Sequence, residues 1–171
     1  MILYEYPLNE GVRTTLRLER LFDRLDALMA RESALDHHHA LLVLFEILEV
    51  AGRTDLKGEL LKDLDRHRAQ LGGLKGNPAV DASALEAVIS RFDQAFADLN
   101  ALAGRIGAAI QGNDWLMSLR SRSAVPGGTF EFDLPSYHAW QQGPVQRRQE
   151  DLRNWISVSY THLTLPTILL V

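Results

Sequence analysis

Residues Ala40 to Leu48 read ALLVLFEIL, eight apolar positions interrupted by the single charge of Glu46. The run lies inside a longer segment, Asp36 to Ala51, that fits a helix stopped by Gly52. A helix apolar on most of its sides has to sit centrally, with other elements wrapped around it. The rest of the chain supplies those elements. Before it, Asn9 is placed to cap a helix running to about Arg31, in which Leu18, Leu21, Phe22, Leu25, Leu28 and Met29 recur at spacings of three and four. After it, Thr54 caps a third helix through Leu56, Leu60, Leu61, Leu64 and Leu71, which ends at Gly72-Gly73.

The loop GGLKGNPAV is the clearest break in the chain. Asp81 then opens the longest helix, carried by Leu85, Val88, Ile89, Phe92, Phe96, Leu99, Leu102 and Ile106, and GND leads into a short one, WLMSLRSR. The texture changes at AVPGGTFEFDLPSYHAW, where a Pro-Gly-Gly turn and the alternating TFEFD predict a β element. ILYEY, before Pro7, predicts a short first strand. From Pro144 a helical pattern returns and runs to Ile156. The expected fold class is mainly α: a helical bundle with a short N-terminal strand and the beginning of a truncated β-domain near Pro126 to Trp140.

With 171 residues the chain is about one domain long. It has no cysteine, which removes disulfides and thiolate chemistry and suits a reducing cytoplasm. A net charge of -4 provides no overall field favouring nucleic acid. Neither a membrane span nor a secretory leader is present, so the expectation is a soluble, unexported protein.

Catalytic and metal chemistry find little support. His37, His38 and His39 are consecutive, and helical neighbours point about 100° apart, so the three cannot converge on one ion. They read as a mixed core and surface cluster at a helix start. Glu46, Glu49 and Glu59 read as solvated or helix-end charges rather than as an acid and base pair. Gly127 and Gly128 fit a turn needing positive φ, not a phosphate loop. Ser136 lies in no nucleophile elbow. No catalytic residue, metal or cofactor is expected, and an enzyme reading would need a deep pocket uniting Glu46, His67 and His138.

The basic residues carry more information. Arg13, Arg17, Arg20 and Arg24 are offset by four, three and four, so they form a line in a narrow sector beside the apolar stripe of the first helix. Arg53 and Lys57 flank the second interhelical turn, Arg120 and Arg122 close the short helix, and Arg147, Arg148 and Arg153 lie on the last. Any one of these can be a solvated charge paired with a neighbour such as Glu10, Glu19, Asp23 or Asp26. Several around one groove would make a receptor for a peptide carboxylate, because guanidinium grips carboxylate with two prongs. An alternative is a helical nucleic-acid-binding module that lays the Arg13, Arg17, Arg20 and Arg24 stripe on phosphates, with a steep dependence on salt.

The segments YEYPLNEGVRTTLRLERLF, FEILEVAGRTDLKGELLKDLDR and above all NDWLMSLRSRSAVPGGTFEFDLPSYHAW resemble the ZapD family of bacterial cell-division proteins, in order over residues 1 to 156. The resemblance implies a cytoplasmic, non-enzymatic protein found at midcell in the Z-ring. It would dimerise through its helical domain, bind the C-terminal tail of the tubulin-like protein FtsZ, and bundle FtsZ filaments. The implied fold is a helical domain plus a β-rich domain, with the tail held by basic residues near their junction. Arg17, Arg53 and Lys57 are positions where relatives are also expected to be basic, with Arg13, and then Arg20 and Arg24, behind them. Neither nucleic acid nor membrane insertion is expected.

The end of the chain departs from that pattern. Relatives are expected to continue for most of another domain after NWI, whereas SVSYTHLTLPTILLV follows here, and VSYTHLTLPT resembles the translation of a transposase-type sequencing adapter. The expected organisation is therefore a helical domain over 1–156, with 124–140 opening an incomplete β-rich domain, and a non-native tail over 157–171. Reduced FtsZ binding and a larger loss of bundling would follow.

Overall fold

The structure, a computed structural model, describes residues 6–7, 9–52, 56–101 and 107–160, with side chains through 156. Among them are eight helices and no strand. The first, α1 (Glu10–Met29), starts where expected: the Asn9 side chain accepts the Gly11 amide at 2.7 Å, satisfying one of the four unpaired donors of a helix start. Its buried side is Thr15, Leu18, Phe22 and Leu25.

The apolar run forms the middle of α2 (Ala34–Gly52). Ala40, Leu41, Leu44, Leu48 and Ala51 are buried along one side, and Val43, Phe45 and Ile47 on others, so α2 is enclosed as its composition requires. The hairpin partner α1 packs along it after a short turn, and α6 (Asp114–Ser123), α7 (Pro135–Gln141) and α8 (Val145–Tyr160) pack on its remaining surface. A second hairpin pairs α3 (Leu56–Gly72) with α4 (Ala82–Ala101). Leu56, Leu60 and Leu64 join Phe92, Ala95 and Leu99 in the same continuous core. Arg68 fastens this hairpin, with Nε 2.6 Å from Asp93 and its guanidinium 5.2 Å above the Phe96 ring.

Asp81 caps α4 as expected, its Oδ1 accepting the Ser83 and Ala84 amides at 2.8 and 3.1 Å. The expected Thr54 cap, the end of the long helix at Leu102 and Ile106, and the first strand apart from exposed Tyr6 lie outside the described residues. One turn of helix that periodicity did not suggest, α5 (Ala108–Gln111), follows Gly107. Here the left-handed backbone favours glycine, with φ at +80°, and a Cβ would also press on a terminal methyl of Leu48, which would have to shift.

The mainly α class holds, but the expected β element over 124–140 does not form. Thr129 to Asp133 is a run of turns in which the Asp133 and Leu134 amides both donate to the Phe130 carbonyl, at 3.1 and 3.0 Å. A strand needs a neighbour to take its amides, and among the described residues there is none, so the segment satisfies them locally. Its alternating Phe130 and Phe132 consequently stand exposed. The preceding turn does use positive φ, at Gly127. After it, Pro135 opens α7: at the first helical position its missing N–H costs nothing and its φ is already helical.

On α8, Arg148, Leu152 and Ile156 are buried at four-residue spacing. The backbone of α8 continues to Tyr160, past the boundary at Ser157, while 161–171 lie outside the described residues. No helix among the described residues is long and apolar enough to cross a membrane.

Candidate functional site

The arginine line of α1 becomes one wall of a groove of about 690 Å³ between α1 and α2. Arg13, Arg17, Arg20 and Arg24 all border it, with Leu16 and Leu21 between them. The row stands away from the side of α1 that buries Leu18, Phe22 and Leu25, so packing α1 on α2 leaves every one of these guanidinium groups accessible. Across the groove, α2 contributes Glu46, Glu49 and Val50.

Each arginine already has a carboxylate neighbour. Glu10 lies 3.5 Å from Arg13 and 3.4 Å from Arg17, Asp23 is 4.0 Å from Arg20, and Glu46 is 3.8 Å from Arg24. These arginine side chains are 45–71% exposed, and ion pairs in water at such distances are worth about 0–1 kcal/mol. They hold the groove's cations loosely, and an incoming carboxylate with two-pronged geometry can exchange for them at little cost. The groove floor adds apolar contact through Leu16, Leu21 and Val50. Chemically the groove combines exposed guanidinium groups on one wall, Glu46 and Glu49 on the other, and an apolar floor.

Not every candidate cation belongs to it. Lys57, at the start of α3, donates to the Asn100 carbonyl on α4 at 3.4 Å and is not part of the groove wall. Arg53 lies outside the described residues. Arg122 pairs with Asp133 at 3.8 Å, at the base of the exposed phenylalanine turn.

Arg148 is the residue that sequence reasoning misplaced. Grouped above with the solvated charges of the last helix, it is 5% exposed. Nε donates to His37 Nδ1 at 3.0 Å, Nη2 to the Glu32 carbonyl at 2.7 Å, and Nη1 to the carbonyls of Gln141, at 2.9 Å, and Gly143. Among the described residues its acceptors are all neutral: one imidazole and three main-chain oxygens. Together they clasp α8 to the α1–α2 turn and to the α7–α8 turn. The neighbouring Gln149 reinforces this by donating to the Met29 and Arg31 carbonyls.

This arrangement fixes the tautomer of His37. With Nδ1 accepting from Arg148, Nε2 carries the proton and donates to the Arg31 carbonyl at 2.7 Å. Burial pushes the His37 pKa down, and the Arg148 charge pushes the same way against the opposing pull of the Arg31 carbonyl. His38 points elsewhere: Tyr137 donates to its Nδ1 at 2.5 Å and accepts from Gln141 at 3.0 Å. Burial lowers the His38 pKa and raises that of the Tyr137 phenol, so both stay neutral. His39 is exposed. The three histidines thus divide between core, half-buried contact and surface, as consecutive helical positions must.

The three residues whose convergence would suggest catalysis are carried on three different helices, α2, α3 and α7. Glu46 borders the α1–α2 groove, which takes in neither histidine, and His67 lies against Phe92 with ring centres 5.9 Å apart. His138 is carried on α7.

Comparison with known proteins gives the chain a family. The family model described as ZapD, cell division protein, matches residues 16–169. Over 155 residues, 91% of the chain, the sequence is 55% identical to the cell division protein ZapD of Ralstonia pickettii (strain 12J). It is 53% identical over the same share to the cell division protein ZapD of Cupriavidus pinatubonensis (strain JMP 134 / LMG 1197). The chain spans 62% of the length of each of these relatives. A match over nearly the whole chain, at more than half identity and with the helical architecture the resemblance implied, means that this chain belongs to the ZapD family of cell-division proteins.

Proposed function

We propose that the α1–α2 groove receives the C-terminal tail of FtsZ, and that through it the protein joins and bundles FtsZ filaments in the midcell Z-ring, with binding reduced and bundling reduced further in this chain, which spans 62% of its relatives' length. The observation that carries this reading is the unbroken row of Arg13, Arg17, Arg20 and Arg24 along one groove, in a chain of a cell-division family. A flexible acidic tail gains from several weak two-pronged contacts made together, and the exposed pairs with Glu10, Asp23 and Glu46 yield to it readily. Bundling needs two such grooves per assembly, hence a homodimer formed through the helical bundle. In this reading the protein is a cytoplasmic binding protein that makes and breaks no bonds.

The test is co-sedimentation with polymerised FtsZ, using FtsZ with and without its C-terminal tail. Binding that survives tail removal overturns the proposal, as does full binding by an Arg17→Glu, Arg20→Glu double variant that remains folded. A salt series with random-sequence DNA separates the nucleic-acid alternative. A steep, sequence-blind loss of DNA affinity with salt, coupled to indifference to the FtsZ tail, would favour that alternative. The longer Ralstonia relative, assayed beside this chain, reports what its additional length contributes.

A further inference from the structure

The two walls of the α1–α2 groove differ in charge, and the difference runs along its length as well as across it. The arginine row of α1 faces Glu46 and Glu49 of α2, with Leu16, Leu21 and Val50 between. Arg24 and Glu46 meet across the groove at 3.8 Å, both side chains more than half exposed. The helices of a hairpin run in opposite directions. From that contact, therefore, positions toward Arg13 on α1 lie level with positions toward Gly52 on α2. By this register Glu49 and Val50 come level with Arg20 and Leu21, and no acidic residue follows them before α2 ends at Gly52.

The Arg13 and Arg17 end has a different kind of carboxylate. Glu10 lies 3.5 and 3.4 Å from the two guanidinium groups, but it comes from the first turn of α1 itself and its side chain is exposed. A change of rotamer takes it aside into water, leaving both cations to an incoming group. Glu46 and Glu49 belong to the opposite wall and stay beside whatever enters. A carboxylate on the occupant is thus attracted at one end of the groove and met by two like charges at the other. Charges placed in this way decide which partner fits and in which register more than they decide how tightly it binds.

We infer that the groove selects a peptide segment of mixed charge, with carboxylates toward Arg13 and Arg17, a lysine or arginine toward Glu46 and Glu49, and apolar side chains between them on Leu16, Leu21 and Val50. This rests on the reading that the groove receives a peptide tail, and adds the charge pattern and the direction in which the tail lies. The register also sets a spacing. Arg17 and Arg24 are seven positions apart, which is about 10 Å of helix. An extended chain covers that distance in about three residues. A uniformly acidic segment matches one end of the groove only, and a nucleic-acid strand lying along it would set phosphates against the same two glutamates.

The probes are acetyl-Glu-Glu-Leu-Leu-Lys-Lys-amide, its scrambled counterpart Glu-Lys-Leu-Leu-Glu-Lys, the all-acidic Glu-Glu-Leu-Leu-Glu-Glu and an oligothymidylate, titrated into the ¹⁵N-labelled chain and followed through the amide signals of Leu16 and Val50. The first peptide should bind several-fold more tightly than the scrambled one. The decisive variant is Glu46→Gln, Glu49→Gln, on two exposed positions where the fold has little to lose. It should weaken the first peptide by roughly fivefold and tighten the all-acidic one by a similar factor, a change of opposite sign for the two ligands. If the variant tightens both, the two glutamates only neutralise the arginines, and the inference falls while the groove remains a receptor for acidic tails. Equal binding of the scrambled peptide, or preference for the oligothymidylate, also overturns it. Absence of saturable shifts with every peptide, or indifference of all of them to Arg13→Gln, Arg17→Gln in a variant with native circular dichroism, removes the inference together with the reading on which it rests.

Discussion

Two sets of arginines in this protein occupy opposite environments. Those on α1 stand in water, each beside a carboxylate. Arg148 is buried, and among the described residues every acceptor it has is uncharged. The exposed set gains almost nothing in stability from its partners, because solvent screens the attraction and long side chains lose entropy in holding it. Arg148 can be kept charged in the interior only because hydrogen bonds satisfy it on several sides, and those same bonds hold three parts of the chain together. Cations that contribute little to the fold can be exchanged without losing it, whereas a cation that contributes much cannot.

Removing the buried cation gives the largest effect. Arg148→Ala strands the acceptors on His37, Glu32, Gln141 and Gly143, and is expected to cost about 3–5 kcal/mol in urea denaturation. A loss below about 1 kcal/mol would break the comparison outright, since Arg148 would then behave like a surface residue.

Acid tests the same clasp reversibly. His37 has its pKa lowered on folding, so the folded protein holds this imidazole neutral while the unfolded chain protonates near 6.5. Its contribution is fully present above that value. As pH falls below it, the unfolded state takes up the proton first and stability declines by up to about 1.4 kcal/mol per pH unit until the folded pKa is passed. His38 shifts in the same direction and adds to the slope. Denaturation midpoints at a series of pH values measure the sum, and imidazole proton shifts separate the two rings. A stability that stays flat below pH 6.5 would contradict the neutral tautomer assigned to His37.

The exposed set should show the reverse pattern. Arg20→Ala is expected to change stability by no more than about 0.5 kcal/mol while weakening FtsZ co-sedimentation. Equal losses of stability and binding would erase the distinction. Smallest of all, Phe132→Ser should leave the denaturation midpoint where it is, because the ring is 77% exposed and its removal opens no cavity. A drop of more than about 1 kcal/mol would mean that the turn segment buries this ring.

Much of the fold was legible because its signals are local. Asn9 and Asp81 mark helix starts through side chains that reach only two or three residues ahead, and the leucine spacings of α1 and α3 require no knowledge of what they pack against. The segment 129–133 was misread for the complementary reason: alternation signals a strand only if another strand exists to pair with it. Pro135, inside the span read as β, is the first residue of a helix, a signal present in the sequence but outweighed by the neighbouring alternation. Of the candidate site, the α1 row was visible as a period. The placement of Lys57 against Asn100 was not, because that contact joins positions 43 apart. Arg148 was still further out of reach, since nothing near it in the chain announces a partner 111 positions away.

That separation bears on how the molecule is made. The acceptors on Glu32 and His37 are synthesised early, and the guanidinium that fastens them is among the last parts of the bundle to emerge from the ribosome. The α1–α2 hairpin must therefore wait, unfastened and with the apolar flank of α2 uncovered, while the 111 positions from His37 to Arg148 are translated. For that interval a nascent chain presents its most insoluble helix to whatever chaperone attends the tunnel exit.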